Sequence, residues 1–360
     1  MGFQRFNYQY SIIIRALLGR LIFDRSHFSV PVQKFMVLAF SLSLTTSGLA
    51  KDPEQQSTKA DKYVGIFFSG QDKSHQEILE LVQESFYSRV EGFKPIYINT
   101  HRLGELALKE RVNQDMSCAV SISSDVSKRV LSVRAKIPLF TMNVPRHELD
   151  KLRRVYERLG VRVSGIYEEQ SLERQVFLAE SISPTNKRLA ILYNQKDKYY
   201  SEPDRAEIKK LGFELDFNIL QNTDTPQKYL SKVTDGKGSI LLLTNNQSLY
   251  TESRVKALVL DANRQKIRLI GNRQVDFEQG ALMSIYTPPE SLVMETLGEI
   301  ASFCFNSEDH LPKYADEFTV SLNSNIANAM AENEINAEKL NRKVRDIESQ
   351  VRSPKTGVIQ

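Results

Sequence analysis

Along Val163–Asn194 the spacing of apolar residues changes twice. Val163–Ile166 reads as the end of a strand. Leu172, Val176, Ala179 and Ile182 then recur at helical spacing, with Phe177 and Leu178 widening the stripe. Ser171 is placed to cap that helix and Ser183-Pro184 to stop it. Leu189–Tyr193 follows as an unbroken apolar run, the pattern of a strand covered on both faces. Such a unit in mid-chain marks the opening of a second α/β domain.

The same alternation extends in both directions. Before it, strands are expected at Tyr63–Phe68, Pro95–Ile98, Cys118–Ile122, Pro138–Thr141 and Val161–Ile166. Helices are expected between them at Gln76–Val90, Leu103–Asn113, Ser127–Ala135 and Arg146–Leu159. After it come strands Arg188–Tyr193, Glu214–Ile219, Ile240–Thr244, Leu269–Ile270 and Ala281–Ile285, with helices Glu202–Leu211, Thr225–Val233 and Tyr250–Asn263. Strands separated by helices of about a dozen residues predict parallel sheets with helices on both faces. Helix Glu290–Phe305 is long enough to cross between domains, and Phe318–Leu322 and Ser324–Asn333 add a strand and a helix. Ile335–Val351 is a charged helix with one apolar seam at Leu340, Val344, Ile347 and Val351. That seam suits docking on its own domain, or a partner helix.

The first fifty residues stand apart. An apolar segment from Phe35 runs into small residues ending Ser47-Gly48-Leu49-Ala50, with Lys34 as its positive flank. This is the pattern of a secretory signal cut after Ala50. Its core falls short of the roughly 20 residues a spanning helix needs. A second apolar patch at Ile12–Ile14, well upstream, favours a translation start near Val30 over an extended leader. Residues 1–50 hold five of the 48 basic and one of the 44 acidic side chains, leaving 43 of each in the exported chain. The formal charge of +4 therefore belongs to the targeting segment, and no basic stripe remains to argue for nucleic acid. About 310 exported residues call for two domains. Cys118 and Cys304 follow no metal or redox spacing, and either a disulfide or two buried thiols fits their apolar contexts.

Ligands of open parallel sheets bind beyond the carboxyl ends of the strands. Those ends are polar and small here: Ser69-Gly70-Gln71, Ser121 with Ser123-Ser124-Asp125, and Thr141-Met142-Asn143. In the second half they are Tyr193-Asn194-Gln195, Thr244-Asn245-Asn246, Asn272-Arg273-Gln274 and Ser284-Ile285-Tyr286. Such a set suits recognition of a small polar molecule better than bond breaking. His75, His101, His147 and His310 are scattered without metal spacing and read as surface residues. No nucleophile elbow, phosphate loop or dinucleotide fingerprint occurs, Gly236-Lys237-Gly238 precedes a strand, and the adjacent Glu168 and Glu169 are expected to point apart. The expectation is a binding protein, not an enzyme, without cofactor or metal.

Several passages resemble one family, the periplasmic substrate-binding proteins of the uncharacterised ABC transport type, called the ABC substrate-binding family. They are Val163-Ser164-Gly165-Ile166, the passage Ile182–Arg188 with strand Leu189–Asn194, Lys266–Gly271, Val275–Ser284, and Phe318–Asn323 with Ile326-Ala327. The resemblance spans about Tyr63 to Ile335 and is more specific in its second half. It implies a type I periplasmic-binding fold, α/β, with two Rossmann-like lobes of parallel sheet, three crossover segments and a cleft that closes on ligand. The implied lobes are residues 61–163 with about 288–335, and residues 164–287, followed by a charged helical tail at 336–360. Val163–Ile166 would be the crossing between them. By position, the implied ligand-binding residues are Ser69, Gln71, Ser123, Asn143, Asn194, Asn246, Asn272 and Tyr286, to which strand-end position adds Tyr193 and Arg273. Arg273 would pair a carboxylate or fill the cleft mouth. The chain departs from the family's Gly/Thr-rich loop after the third strand, where it has Ser121–Asp125. It departs again after the fourth, where Met142-Asn143-Val144-Pro145 replaces Asp-Pro. The expected role is a monomeric periplasmic receptor delivering a small polar or amino-acid-like ligand to an inner-membrane ABC permease. The alternative is a divergent lobe pair acting through protein contacts as a sensor partner or envelope scaffold.

Overall fold

In a computed structural model of the chain, the residues described are 62–71, 73–113, 116–133, 136–183, 188–194, 206, 208–220, 225, 228, 230, 239–245, 249–305, 310–330 and 335–352. The signal segment, Asn246 and most of the helices expected at Glu202–Leu211 and Thr225–Val233 lie outside them.

Two sheets organise the chain. The first contains β1 (Lys62–Phe68), β2 (Phe93–Asn99), β3 (Cys118–Ile122), β4 (Leu139–Val144) and β5 (Val163–Tyr167), in the order β2-β1-β3-β4-β5, all parallel. Its strands are apolar on both sides because helices cover both. Val64, Ile66, Val120 and Ile122 face α1 (Lys73–Arg89) and α8 (Pro289–Phe305) in one core. Phe67 and Ala119 face α2 (Glu105–Val112), α3 (Ser124–Ser132) and α4 (Arg146–Glu157) in another.

The second sheet contains β6 (Arg188–Asn194), β7 (Glu214–Leu220), β8 (Ile240–Leu242), β9 (Arg268–Gly271), β10 (Met283–Tyr286) and β11 (Thr319–Leu322). The order is β11-β10-β9-β8-β6-β7, parallel except for β11. Along β6 the apolar run divides as its unbroken hydrophobicity demands. Leu189 and Ile191 join α5 (Leu172–Ile182) in one core, and Ala190 and Leu192 join α6 (Glu252–Arg264) in the other. A short α7 (Gln274–Glu278) follows β9, where no helix is expected from the sequence. Helix α9 (Ser324–Ala329) follows β11.

Two of the lobe boundaries move. β5 is the edge strand of the first sheet through Tyr167, so the chain crosses at Glu168–Ser171 and not within Val163–Ile166. Gly165 permits this packing, since a Cβ there would stand 2.2 Å from the Thr141 carbonyl oxygen, and its φ of +158° is one that side chains avoid. At the other end, β11 pairs with β10 and Phe318, Val320 and Ala327 enter the second core, so residues 318–330 belong to the second lobe and not the first. Among the described residues between β10 and β11, α8 and Lys313–Ala315 return to the first, where Ala315 enters the core and Lys313 bridges Ile166. The final helix, α10 (Ala337–Arg352), docks its Leu340, Val344 and Ile347 seam on the second lobe's core against α5 and β11, leaving Val351 exposed.

Cys118, at the start of β3, and Cys304, in α8, form a disulfide with their Cα atoms 5.5 Å apart. It ties the returning helix to the central part of the first sheet across 186 residues of sequence. Replacing both cysteines by alanine is expected to lower stability by about 2–4 kcal/mol, because the unfolded chain regains the freedom of that long loop. Urea unfolding of the exported chain, compared with the double variant, measures it.

Candidate ligand-binding cleft

Three segments join the lobes: Glu168–Ser171, Thr287-Pro288 and the stretch from Lys313 to Phe318. The first leaves the carboxyl end of β5 and the second the carboxyl end of β10, so the carboxyl edges of both sheets lie on the side where the lobes meet. One residue gathers the crossings. Arg174, 3% exposed on α5, donates from Nη1 to Gln170 Oε1 at 2.6 Å and to the Ala315 carbonyl at 2.5 Å. It also donates from Nη2 to the Asp316 carbonyl at 3.2 Å and from Nε to Glu348 of α10 at 3.0 Å. Gln170 in turn donates to Thr287 Oγ1 at 2.6 Å. Ser171 caps α5 as expected, accepting from the Arg174 amide at 3.2 Å.

On the first lobe, the loops after β1, β2 and β3 enclose a cavity of about 610 Å³. Ser69, Gln71 and Ser123, all expected at the site, line it. Gln71 Nε2 lies 2.9 Å from His101 Nε2. Ser123 is buried with φ +93°, and its side chain makes no capping bond to α3. Asn143 also has a left-handed φ of +58°, at a break in the β4–β5 register, but it does not line the cavity. Lys73, His75, His101 and Arg129 do line it. The sequence marks the two histidines as surface residues and gives no sign of the two cations. His101 is exposed, but His75, His147 and His310 are half-buried.

On the second lobe, the strand ends converge on a network that spans the first crossing. Glu168 and Glu169 do not point apart: Asn245 Nδ2 donates to both, at 3.0 and 3.3 Å. Glu169 also accepts from the Arg146 amide of the first lobe at 3.1 Å. Arg273 donates from Nη1 to Asn245 Oδ1 at 3.0 Å and pairs with Asp276 at 2.7 Å. Asp276 reaches back to the amides of Asn272 and Arg273, each at 3.1 Å. Gly271 makes room, since a Cβ there would meet Asp276 Cβ at 2.4 Å. Arg273 is thus paired within its own lobe, with its side chain largely buried. Asn272 is buried, and neither its Oδ1 nor its Nδ2 has a hydrogen-bond partner among the described residues. Thr244 Oγ1 and Ser284 Oγ share that condition. Tyr286 turns toward β11, its hydroxyl 3.1 Å from Ser321 Oγ. Tyr193 and Asn194 close β6, and Asn246 lies outside the described residues.

The acids take their electrostatics from this packing. Loss of water, with the Glu168 charge, pushes the Glu169 carboxyl up to about 8, although bonds from Arg146 and Asn245 resist. Burial also raises Glu168, against the pull of Arg273 and Asn245. Burial alone would lower Arg273, but Asp276 and Glu168 outweigh it and hold the guanidinium charged. Among the described residues no group of three or more His, Cys, Asp or Glu side chains could hold a metal ion.

Two parallel-sheet lobes, joined by three crossings with their strand ends turned toward each other, define the type I periplasmic-binding architecture. The chain belongs to the ABC transporter substrate binding protein family, whose model matches residues 70–303. Solved structures share the fold at low identity. An ABC domain from Streptococcus pneumonia, in complex with L-Trp, is 14% identical with a TM-score of 0.51, over 76% of this chain and 95% of that one. A substrate binding protein with adhesive properties from Clostridium difficile, in a ligand-free, open structure, is 18% identical with a TM-score of 0.55, over 75% and 95%. A conserved domain protein from Vibrio cholerae is also 18% identical with a TM-score of 0.51, over 75% and 94%. No curated protein matches the chain. Membership implies a substrate-binding rather than catalytic protein, with a small-molecule ligand and an ABC permease as partner, of a kind that typically works outside the cytoplasm.

Replacing Arg174 by methionine should cost about 3–5 kcal/mol, since it removes the guanidinium that faces the buried Glu348 carboxylate and ties the crossings. Adding Glu348→Leu should recover part of that loss, and urea unfolding of the two variants separates the contributions. For Glu169 the sign runs against alkali. From the ordinary value of 4.5 up to about 8, the folded state keeps a proton that the unfolded chain has released. Stability therefore falls as pH rises through that window, by up to about 1.4 kcal/mol per unit. Glu169→Gln should flatten that slope in unfolding curves taken from pH 5 to pH 8.

Proposed function

We propose that this protein is the solute-binding component of an ABC transporter, taking a small polar ligand between its lobes and closing on it. The observation that carries this reading is the pair of polar carboxyl edges turned toward each other across three crossings that one arginine holds together. Ser69, Gln71 and Ser123 on one face, with Asn272 on the other, supply donors and acceptors that a ligand would satisfy from both lobes at once. Such two-sided contact is what makes closure favourable. The chain is exported to the periplasm by the signal ending at Ala50 and acts there as a monomer. The Cys118–Cys304 disulfide supports an oxidising compartment. The tail, which would have favoured a scaffold role as a free helix, has its seam occupied by its own lobe.

A thermal-shift screen of residues 51–360 against amino acids, purines, sugars, small peptides and organic acids tests this. A true ligand at a hundredfold excess over its Kd should stabilise the protein by about 2.7 kcal/mol. Small-angle scattering of the same complex should show a smaller radius of gyration than the free protein. Stabilisation without compaction would argue against a closing cleft.

A further inference from the structure

We infer that the ligand is net anionic, and that its oxyanion group sits on the first-lobe face of the cleft against Lys73, Arg129, His75 and His101. This rests on the receptor reading above and deepens it by assigning the ligand's charge and the surface that reads it.

Most cations at the lobe junction are already paired. Arg273 is held by Asp276, and Arg174 by Glu348. Lys313 is held by Glu295, Glu299 and Asp316 at 2.9–3.2 Å, and Arg146 lies 3.6 Å from Asp150. The cavity after β1, β2 and β3 differs. Among the described residues neither Lys73 nor Arg129 pairs with a carboxylate, and Arg129 donates to the Leu103 carbonyl, which leaves its charge uncompensated. Two imidazoles stand beside them, and the one acid among the described residues of the wall, Asp125, has its side chain 98% exposed with Lys128 at 3.8 Å. Positive charge therefore exceeds negative in a concave space of about 610 Å³, large enough for an oxyanion and the body that carries it.

The backbone points the same way. α3 is nine residues long and starts on this wall, and its Ncap Ser123 gives no side-chain bond to the first turn. The amides of that turn add a partial positive charge to the lysine and arginine. A neutral sugar would leave both cations unanswered when the second lobe excluded water from the cleft, at a cost that an anion removes. Among the described strand ends of the second lobe, the polar groups without a partner are buried uncharged amides and hydroxyls, at Thr244, Asn272 and Ser284, and its Arg273 is internally paired. Charge recognition thus falls to the first lobe, and the second contributes neutral hydrogen bonds to the rest of the ligand.

Titration calorimetry of residues 51–360 with inorganic phosphate, methylphosphonate, succinate, D-ribose and L-tryptophan tests the inference, and the first three arms distinguish a phosphorus oxyanion from a carboxylate. The expected result is binding by at least one of the three anions that weakens as salt is raised. Lys73→Gln, an exposed change at the start of α1 that should leave the fold intact, should weaken it about ten- to hundredfold, and Lys73→Arg should restore most of the affinity. Failure of all three anions to bind overturns the inference, as does anion binding that Lys73→Gln leaves unchanged. Ribose or tryptophan binding with compaction and without dependence on Lys73 also overturns it, but leaves the receptor reading standing.

Discussion

The fold turns on a single guanidinium. Arg174 spreads its donors over the first crossing through Gln170, the third through the Ala315 and Asp316 carbonyls, and the C-terminal helix through Glu348. Gln170 extends the connection to the second crossing at Thr287. The face of Arg174 stacks on Phe318 at 4.6 Å, and Arg345 of α10 stacks on the same ring at 4.3 Å. A planar fork with fixed donor directions can hold three backbones in register where a flexible ammonium could not. Those tethers confine any relative motion of the lobes to a few dihedrals in each crossing, because their spacing is set by bonds that do not need to break. Closure then moves two rigid bodies, each with its own pair of helix-covered faces, and the disulfide keeps the returning helix with the first of them.

This constraint also explains the charge distribution. A hinge built on a buried arginine needs a buried carboxylate, and α10 supplies Glu348 from beyond the second sheet. The apolar seam of Leu340, Val344 and Ile347 brings that carboxylate to within 3.0 Å of Arg174. The tail is therefore part of the hinge, and its dense surface charge is the solvated back of a docked helix. On the second lobe the same logic of internal pairing consumes Arg273. On the first lobe it stops short of Lys73 and Arg129, and the two faces of the cleft are electrostatically unlike.

Much of this was legible in residue patterns, and the parts that were not share a cause. The division of β6 between two cores follows from Leu189–Leu192 being apolar at every position, and the Ser171 cap from a serine before a periodic stripe. The membership of β11 was not legible, because four residues that suit an antiparallel edge carry no mark of which sheet they will meet. The pairing of Arg273 inside its own lobe was not legible either, because its signal, Asp276 three positions on, depends on the short helix between them. Lys73 opens α1, His101 lies just beyond β2 and Arg129 sits in α3. Only the order β2-β1-β3 brings those segments together, and strand order is a long-range property that local periodicity does not encode. The likeness to a known family conveyed the lobes and their crossings, but positions carried over from it could not say which polar groups were already occupied.

The unlike faces have a consequence for the carboxylates between them. Glu169 touches the first lobe at the Arg146 amide and the second at Asn245, and it holds a proton up to about pH 8. A neutral Glu169 at the junction lets an anion approach without meeting a second negative charge beside Glu168 on the first crossing. Because linkage is reciprocal, an anion held in the cleft would in turn make Glu169 harder to ionise. Raising the pH through that range charges the crossing segment and repels the same ligand that Lys73 and Arg129 attract. The proton on Glu169 and the anion on the first lobe thus favour each other, and the hinge that Arg174 fixes in register is where the two effects meet.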